Sequence, residues 1–334
     1  MKICICGGGS LGHVCAGVLS SQDDVEVNLL TGHPQKWNPD LVITDLEGKK
    51  YSGHLSKISD RAEEVVPGCD IVFCCLPGFA IEEVLEKIAP YLNEKMAVGT
   101  VVSSTGFFFK AHQILPPKTR LFGYQRTPYI ARVQRYGHEA ALLGYKKEVA
   151  VATEHIDEKE QLRETLERLF STPTLLLNNY YEASLTNSNP ILHTGRLYSM
   201  WKDWNGECYD HNIFFYKEWT DEASQTIIDM DKEFMALLDY LPVDKKHIPS
   251  LLEYYESTDA PSLTHKISSI PAFLPIGSPM KEIEGGWVPD FGSRYFTEDF
   301  PHGLRYIKDL ATQYHLQTPV IDRIYEWGLS KLEK

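Results

Sequence analysis

The sequence predicts two domains of different class: an α/β N-terminal domain on a doubly wound parallel sheet over residues 1–180, and a mostly α-helical C-terminal domain over residues 181–334. Three observations carry this prediction. The chain begins on a short apolar run that ends in a glycine-rich turn. Short apolar runs bounded by turn formers then alternate with helix-length segments, the order that winds a parallel sheet with helices on both faces. Past residue 180 that alternation stops, and long helical stretches follow: "YEASLTNSNPILHTGRLYSMWKDW", "DEASQTIIDMDKEFMALLDYL" and "FPHGLRYIKDLATQYH".

In order, "KICIC" at 2–6 predicts a buried strand, "GGGSLG" a tight turn, and "HVCAGVLSS" a helix whose small residues allow close packing on a sheet. Gly7, Gly9 and Gly12 fit G-x-G-x-x-G: the first permits the turn, the second lets backbone approach a pyrophosphate, and the third lets helix and strand pack closely. With Ser10 and Leu11 between them they are the expected contacts of a dinucleotide, whose phosphates the N–H groups of a helix N-terminus attract. The first domain is therefore expected to be a Rossmann-type dinucleotide-binding domain. The second strand, "VEVNLL" at 25–30, ends where an acid would accept hydrogen bonds from the adenosine ribose of NAD, yet Thr31 stands there. His33 and Lys36 follow and suit either a 2′-phosphate or an exposed loop, so NAD and NADP are both open. Next come "DIVFCCLP" at 70–77, a helix through "AIEEVLEKIAPYL", "MAVGTVV" at 96–102 and "TRLFGYQ" at 119–125. Leu76 and Pro77 close one of these strands and are expected at the cofactor; Ser104 and Gln125 close two others and stand near where substrate should sit, or only cap the fold. Antiparallel strands in "ARVQRYGHEAALLGYKKEVAVAT" and a helix near 157–170 complete the domain.

Composition narrows the ligands. With 334 residues, 43% hydrophobic and 24% charged, the chain can bury a large core. No apolar run reaches the ~20 residues that span a bilayer and no signal-peptide pattern opens the chain, which predicts a cytoplasmic protein with no membrane partner. Seven cysteines, with Cys4, Cys6, Cys74 and Cys75 in strand-like apolar runs and no zinc-type pair, suit reduced thiols and predict no metal site. A net charge of −13 argues against nucleic acid and anionic membranes, leaving small molecules as the expected ligands; oligomer formation is left open.

Two segments of the second half carry groups suited to chemistry. "DFGSRYFTEDFPHG" at 290–303 sets Arg294, Glu298 and Asp299 close together, either as a solvated turn or as a segment that clamps substrate and handles protons. "TNSNPILHTG" offers Asn187, Asn189 and His193, with Pro190 interrupting or starting a helix. Histidine is the side chain most readily tuned to exchange protons near neutrality. A hydrogen-bonded structural histidine is the competing reading, and among twelve histidines spacing alone does not select one.

Taken together, "CICGGGSLGHVCAGVLSS", "VEVNLLTG", "NSNPILHTG" and "GGWVPDFGSRYFTEDFPHGL" resemble the octopine dehydrogenase (opine dehydrogenase) family over nearly the whole chain. The last of these is similar to the family's G-G-x-x-P-D-F-x-x-R-Y-x-T-E-D-x-P segment, a far more specific signature than a glycine motif. "NSNPILHTG" is similar to its N-x-N-x-x-x-H-P segment, with Thr194 in place of the proline. The resemblance implies NAD- or NADP-dependent reductive condensation of an amino acid with a 2-oxo acid such as pyruvate. It places the catalytic histidine and aspartate on His193 and Asp299 and the carboxylate-binding arginine on Arg294; Asn189, in the histidine's segment, is expected with Ser104 and Gln125 among the substrate contacts. The active site is expected between the two domains. Two other readings compete: a 2-oxo acid or ketopantoate-type reductase of the same superfamily, and a nucleotide-sensing protein without turnover. Arg126 and Ala131, in "YQRTPYIAR", differ from relatives and leave the amino donor unnamed.

Overall fold

The computed structural model describes residues 1–186 and 188–332, so Asn187 lies outside the described residues. The chain divides into two compact units, one of Met1–Ser184 and one that begins at Leu185.

The first unit is built on one eleven-stranded sheet. Its strands are β1 (Lys2–Cys6), β2 (Glu26–Leu30), β3 (Asp40–Asp45), β4 (Lys50–Ser59), β5 (Ile71–Cys74), β6 (Ala97–Thr100), β7 (Arg120–Tyr124), β8 (Tyr129–Arg135), β9 (Glu139–Tyr145), β10 (Val149–Glu154) and β11 (Thr174–Leu176), in the spatial order β11-β10-β7-β6-β5-β1-β2-β4-β3-β9-β8. β1 pairs in parallel with both β2 and β5, β5 with β6, and β6 with β7. This parallel centre is covered on both faces, which is why its strands are apolar at most positions. Alternation shows it: Ile3, Ile5, Ile71 and Phe73 enter one core, while Cys4, Cys6, Val72 and Cys74 enter the other. The helices α1 (Ser10–Ser20), α2 (Ala62–Val65), α3 (Gly78–Ile88), α4 (Phe107–Ile114), α5 (Lys159–Phe170) and α6 (Tyr180–Ser184) complete the unit.

At its flanks the sheet leaves the parallel pattern, as expected for the antiparallel strands of residues 131–153 but also through a hairpin that the sequence did not announce. β3 and β4 form an antiparallel hairpin from a stretch whose polar residues hide its period, and β4 joins β2 in parallel. β3 in turn pairs with β9, and β9 with β8, so the polar hairpins extend the sheet well past its buried centre. β10 runs antiparallel to β7.

The second unit is mostly helical: α7 (Thr194–Trp201), α8 (Asp221–Leu238), α9 (Leu251–Tyr254), α10 (Ala260–Ser269), α11 (Arg294–Thr297), α12 (Arg305–Gln313) and α13 (Pro319–Leu332). α8 packs against α7 and α10. It starts where the Thr220 hydroxyl accepts from the Ala223 N–H, with Asp221 and Glu222 in the first turn to complement the helix dipole. A two-stranded hairpin, β12 (Met280–Ile283) and β13 (Gly286–Pro289), delivers the chain to α11. A buried aromatic stack of Trp201, Phe296 and Phe300 anchors α11 and the turn after it.

Candidate active site

The glycine loop fits the task that its spacing implies. Gly7 has φ +120°, and a Cβ there would stand 2.6 Å from the Cys75 carbonyl oxygen, so the turn requires glycine. At Gly12 a Cβ would stand 2.0 Å from the Gly7 oxygen, which holds α1 tight against the loop. Gly9, the residue that caps α1, has nothing within 4 Å of that position. An open backbone edge at a helix N-terminus is the cradle that a pyrophosphate needs. The Ser10 hydroxyl accepts the Val133 N–H at 3.3 Å, Leu11 is half-buried against the core, Leu76 lies beside Gly7, and Pro77 caps α3.

Side chains without a spacing signal also hold this loop. His13 is buried; its Nδ1–H donates to the Gly9 carbonyl at 2.9 Å, and its Nε2 accepts the Gly137 N–H at 2.7 Å. Those partners fix the neutral tautomer, and burial lowers its pKa. The Trp37 ring stacks on it at 4.1 Å, and Tyr136, from the β8–β9 turn, meets both rings edge-on. A Cβ on Gly8 would stand 2.7 Å from the Tyr136 hydroxyl and 2.9 Å from Thr31 Oγ1. Thr31 is buried, and its N–H donates to the Ser59 carbonyl. His33 and Lys36 are exposed.

In the second unit, two π-helical turns bring together residues 106 apart in sequence. His193 ends the π-helical turn Ser188–His193 and leads into α7; Asp299 caps the π-helical turn Phe300–Leu304 and leads into α12. Each turn contains a proline, Pro190 or Pro301, which cannot supply a backbone donor to a regular helix. The turns pack on each other because residue 303 is glycine: a Cβ there would stand 3.1 Å from Pro190 Cγ. Thr194, where the family has proline, is fully buried, and its hydroxyl donates to the Pro190 carbonyl at 2.5 Å. The threonine thus closes the π turn from within.

His193 Nδ1 stands 2.8 Å from Asp299 Oδ2, and both side chains are largely buried. In the tautomer that donates from Nδ1 to the carboxylate, the ring presents Nε2 as an acceptor. Nε2 lies 2.9 Å from the Tyr216 hydroxyl. Burial raises the Tyr216 pKa, reinforced by Tyr295, Tyr255 and Asp299, so the phenol keeps its proton and donates. The Tyr295 ring lies over the imidazole at 4.7 Å, and Phe215 meets it edge-on. Phe273 and Trp219 each stack with the Tyr216 ring, at 4.4 and 6.0 Å between centroids.

Among the other expected substrate contacts, Arg294 is exposed at the first residue of α11, Asn189 is exposed on the π turn, and Ser104 is half-buried after β6. Gln125 donates its side-chain N–H to the Glu182 carbonyl at 2.7 Å, a tie within the first unit. Tyr216, 23 residues beyond His193, had no motif to announce it. Among the described residues no group of three or more metal-ligating side chains is present, and no helix is long and apolar enough to cross a membrane.

Comparison with known proteins finds matches to both units. The family model described as NAD/NADP octopine/nopaline dehydrogenase, alpha-helical domain, matches residues 176–331, and the model of ketopantoate reductase PanE/ApbA matches residues 3–106. The opine dehydrogenase of Haliotis discus hannai is 28% identical, an alignment that covers 100% of this chain and 91% of that protein. The tauropine dehydrogenase of Arabella iricolor is 26% identical, covering 99% of this chain and 91% of that protein. A solved structure of octopine dehydrogenase with NADH and L-arginine superposes with a TM-score of 0.89 at 25% identity, covering 100% of this chain and 90% of that one. The glycine loop of the first unit and the helical second unit are thus each matched: the second carries the alpha-helical domain of the NAD/NADP octopine/nopaline dehydrogenases, and the whole chain is similar to opine and octopine dehydrogenases.

Proposed function

We propose that the chain catalyses NAD(P)H-dependent reductive condensation of an amino acid with a 2-oxo acid such as pyruvate, and the reverse oxidation of the secondary-amine dicarboxylate formed. The observation that carries this reading is the His193–Asp299 pair at 2.8 Å, inside the unit that the helical-domain family model matches. In the forward direction the amine attacks the oxo carbon, water leaves, and the C=N bond is reduced; one hydride and one proton are consumed. Gly7, Gly9, Ser10, Leu11 and Gly12 would hold the nicotinamide cofactor, which would supply the hydride.

His193 takes a proton from the ammonium as the amine attacks and returns one to the departing hydroxyl, while Asp299 holds the ring and stabilises its charged form. Positioned acid–base catalysis of this kind is worth about 10²- to 10⁴-fold. The Arg294 guanidinium, a planar fork, suits a substrate carboxylate. Ser104 and Asn189 are further substrate contacts; Gln125, tied to Glu182, serves the fold first. A buried Thr31 in place of an acid is compatible with both NAD and NADP. The protein works in the cytoplasm, where the NAD(P)H pool and a reducing environment for its free cysteines are found.

The match to ketopantoate reductase lies in the cofactor-binding segment, a part that amine-independent reductases share. Initial rates of NADH and NADPH oxidation with pyruvate and other 2-oxo acids, with and without a panel of amino acids, separate the two activities. The expected result is turnover strictly dependent on the amine. Full activity with the oxo acid alone would overturn the reading.

A further inference from the structure

Both nitrogens of His193 are engaged. Nδ1 faces the Asp299 carboxylate at 2.8 Å, a partner with no proton of its own to pass, and Nε2 faces the Tyr216 hydroxyl at 2.9 Å. Nε2 is therefore the nitrogen left for exchange, and a phenol O–H occupies its lone pair. We infer that Tyr216 is a positioning and proton-relay residue, so that the working unit is Asp299–His193–Tyr216 and His193 exchanges its proton through the Tyr216 oxygen. In the relay, the phenol O–H bond breaks as its proton passes to Nε2, and a new O–H bond forms with the proton arriving at the same oxygen. The return step reverses both transfers, so the phenol ends each cycle neutral.

The surroundings of Tyr216 are built to hold it there. Arg196, one turn beyond His193 on α7, is buried; its Nε donates to the Phe215 carbonyl at 3.2 Å and its Nη2 to the Glu218 carbonyl at 2.7 Å. Its guanidinium lies over the Trp219 ring at 5.3 Å. A buried arginine spent on two backbone carbonyls is costly: burial lowers its pKa to about 10, opposed by Glu218. The two carbonyls flank Tyr216 in sequence, so the cost is matched by a fixed direction for the phenol. The Phe273 and Trp219 rings both stack with its ring. The titratable groups facing this unit are Asp299, Tyr295, Tyr255 and Arg196; on α8, Asp231 is turned to the Leu251 N–H.

The inference rests on the proposed function for its kinetic part, but its geometry is tested without turnover. In substrate-free protein labelled with ¹⁵N-histidine, the Nε2 resonance of His193 is expected to show a single Nδ1–H tautomer with a hydrogen-bonded Nε2. Tyr216→Phe, which keeps the stacked ring, is expected to move that resonance toward the position of a free acceptor nitrogen. The same variant is expected to lose about tenfold or more in kcat, with KM for both substrates and NAD(P)H affinity within about twofold of wild type. A wild-type Nε2 resonance already at the free position overturns the inference with no variant needed. So does a Tyr216→Phe enzyme with full kcat. Failure of the amine-dependent assay in wild type would instead remove the functional reading and leave the nitrogen resonance to speak for the geometry.

Discussion

At Asp299 the chemistry turns on one atom. Asp299→Asn leaves a side chain of the same shape beside Nδ1 but removes the charge that stabilises the imidazolium, so kcat is expected to fall by about 10²- to 10⁴-fold. NAD(P)H binding, measured by fluorescence titration, is expected to stay unchanged because the glycine loop lies in the other unit; equal loss of both would show that the substitution had damaged the fold. His13 makes a different prediction, on stability. Burial lowers its pKa below the usual 6.5, so below that pH the unfolded chain binds a proton that the folded chain resists. Its contribution is fully present above the unfolded value and is lost as pH falls. His13→Gln removes that titration, so its melting temperature should decline less than that of wild type between about pH 6.5 and 5. Parallel curves would show that His13 is not a source of acid sensitivity.

At the scale of elements, the π-helical turns do the positioning, and the residues behind them can be tested. Gly328 on α13 faces the buried Phe300 ring: a Cβ there would stand 2.1 Å from Phe300 Cε1, and Phe300 follows Asp299. Gly328→Ala must push that ring and is expected to destabilise by about 1–3 kcal/mol, read by denaturant unfolding, and to lower kcat as Asp299 shifts with it. Unchanged stability and rate would mean that the Phe300 turn yields freely. These turns also mark where the sequence became hard to read. Central strands such as β1 and β5 were legible because both faces are buried, which leaves unbroken apolar runs between glycine and proline. The His193 and Asp299 segments were located by their resemblance to a family motif, not by periodicity, and the helical stretches that hold them contain π turns whose extra residue no 3.6-residue period signals. The β3–β4 hairpin escaped notice because its outer face is polar, and Tyr216 and Arg196 because what places them is long-range packing.

At the scale of the whole molecule, the thiols report whether the sheet that carries the glycine loop opens as one body. Cys4, Cys6, Cys15, Cys69, Cys74 and Cys75 are all free and buried in the first unit, and Cys208, in the second, is exposed. Burial raises the Cys69 pKa to about 12, and the pKa values of Cys6 and Cys75 are also raised, by neighbouring thiols and burial, so these groups are poor nucleophiles even when briefly wetted. A chromogenic disulfide reagent is therefore expected to titrate one thiol per native chain quickly, and all seven only after denaturation. The slow phase carries the further information. Cys6 precedes Gly7 directly, and Cys75 lies against it, so an opening that exposes these thiols also dismantles the cradle proposed for the cofactor. A ligand that binds only the closed form suppresses such openings in proportion to 1 + [L]/Kd, so NAD(P)H at about 100 times its Kd should slow the buried thiols about 100-fold. The Cys208 rate should not change. Buried thiols that react slowly but indifferently to cofactor would show that the sheet opens in parts, with the glycine loop surviving the exposure of the strands beneath it.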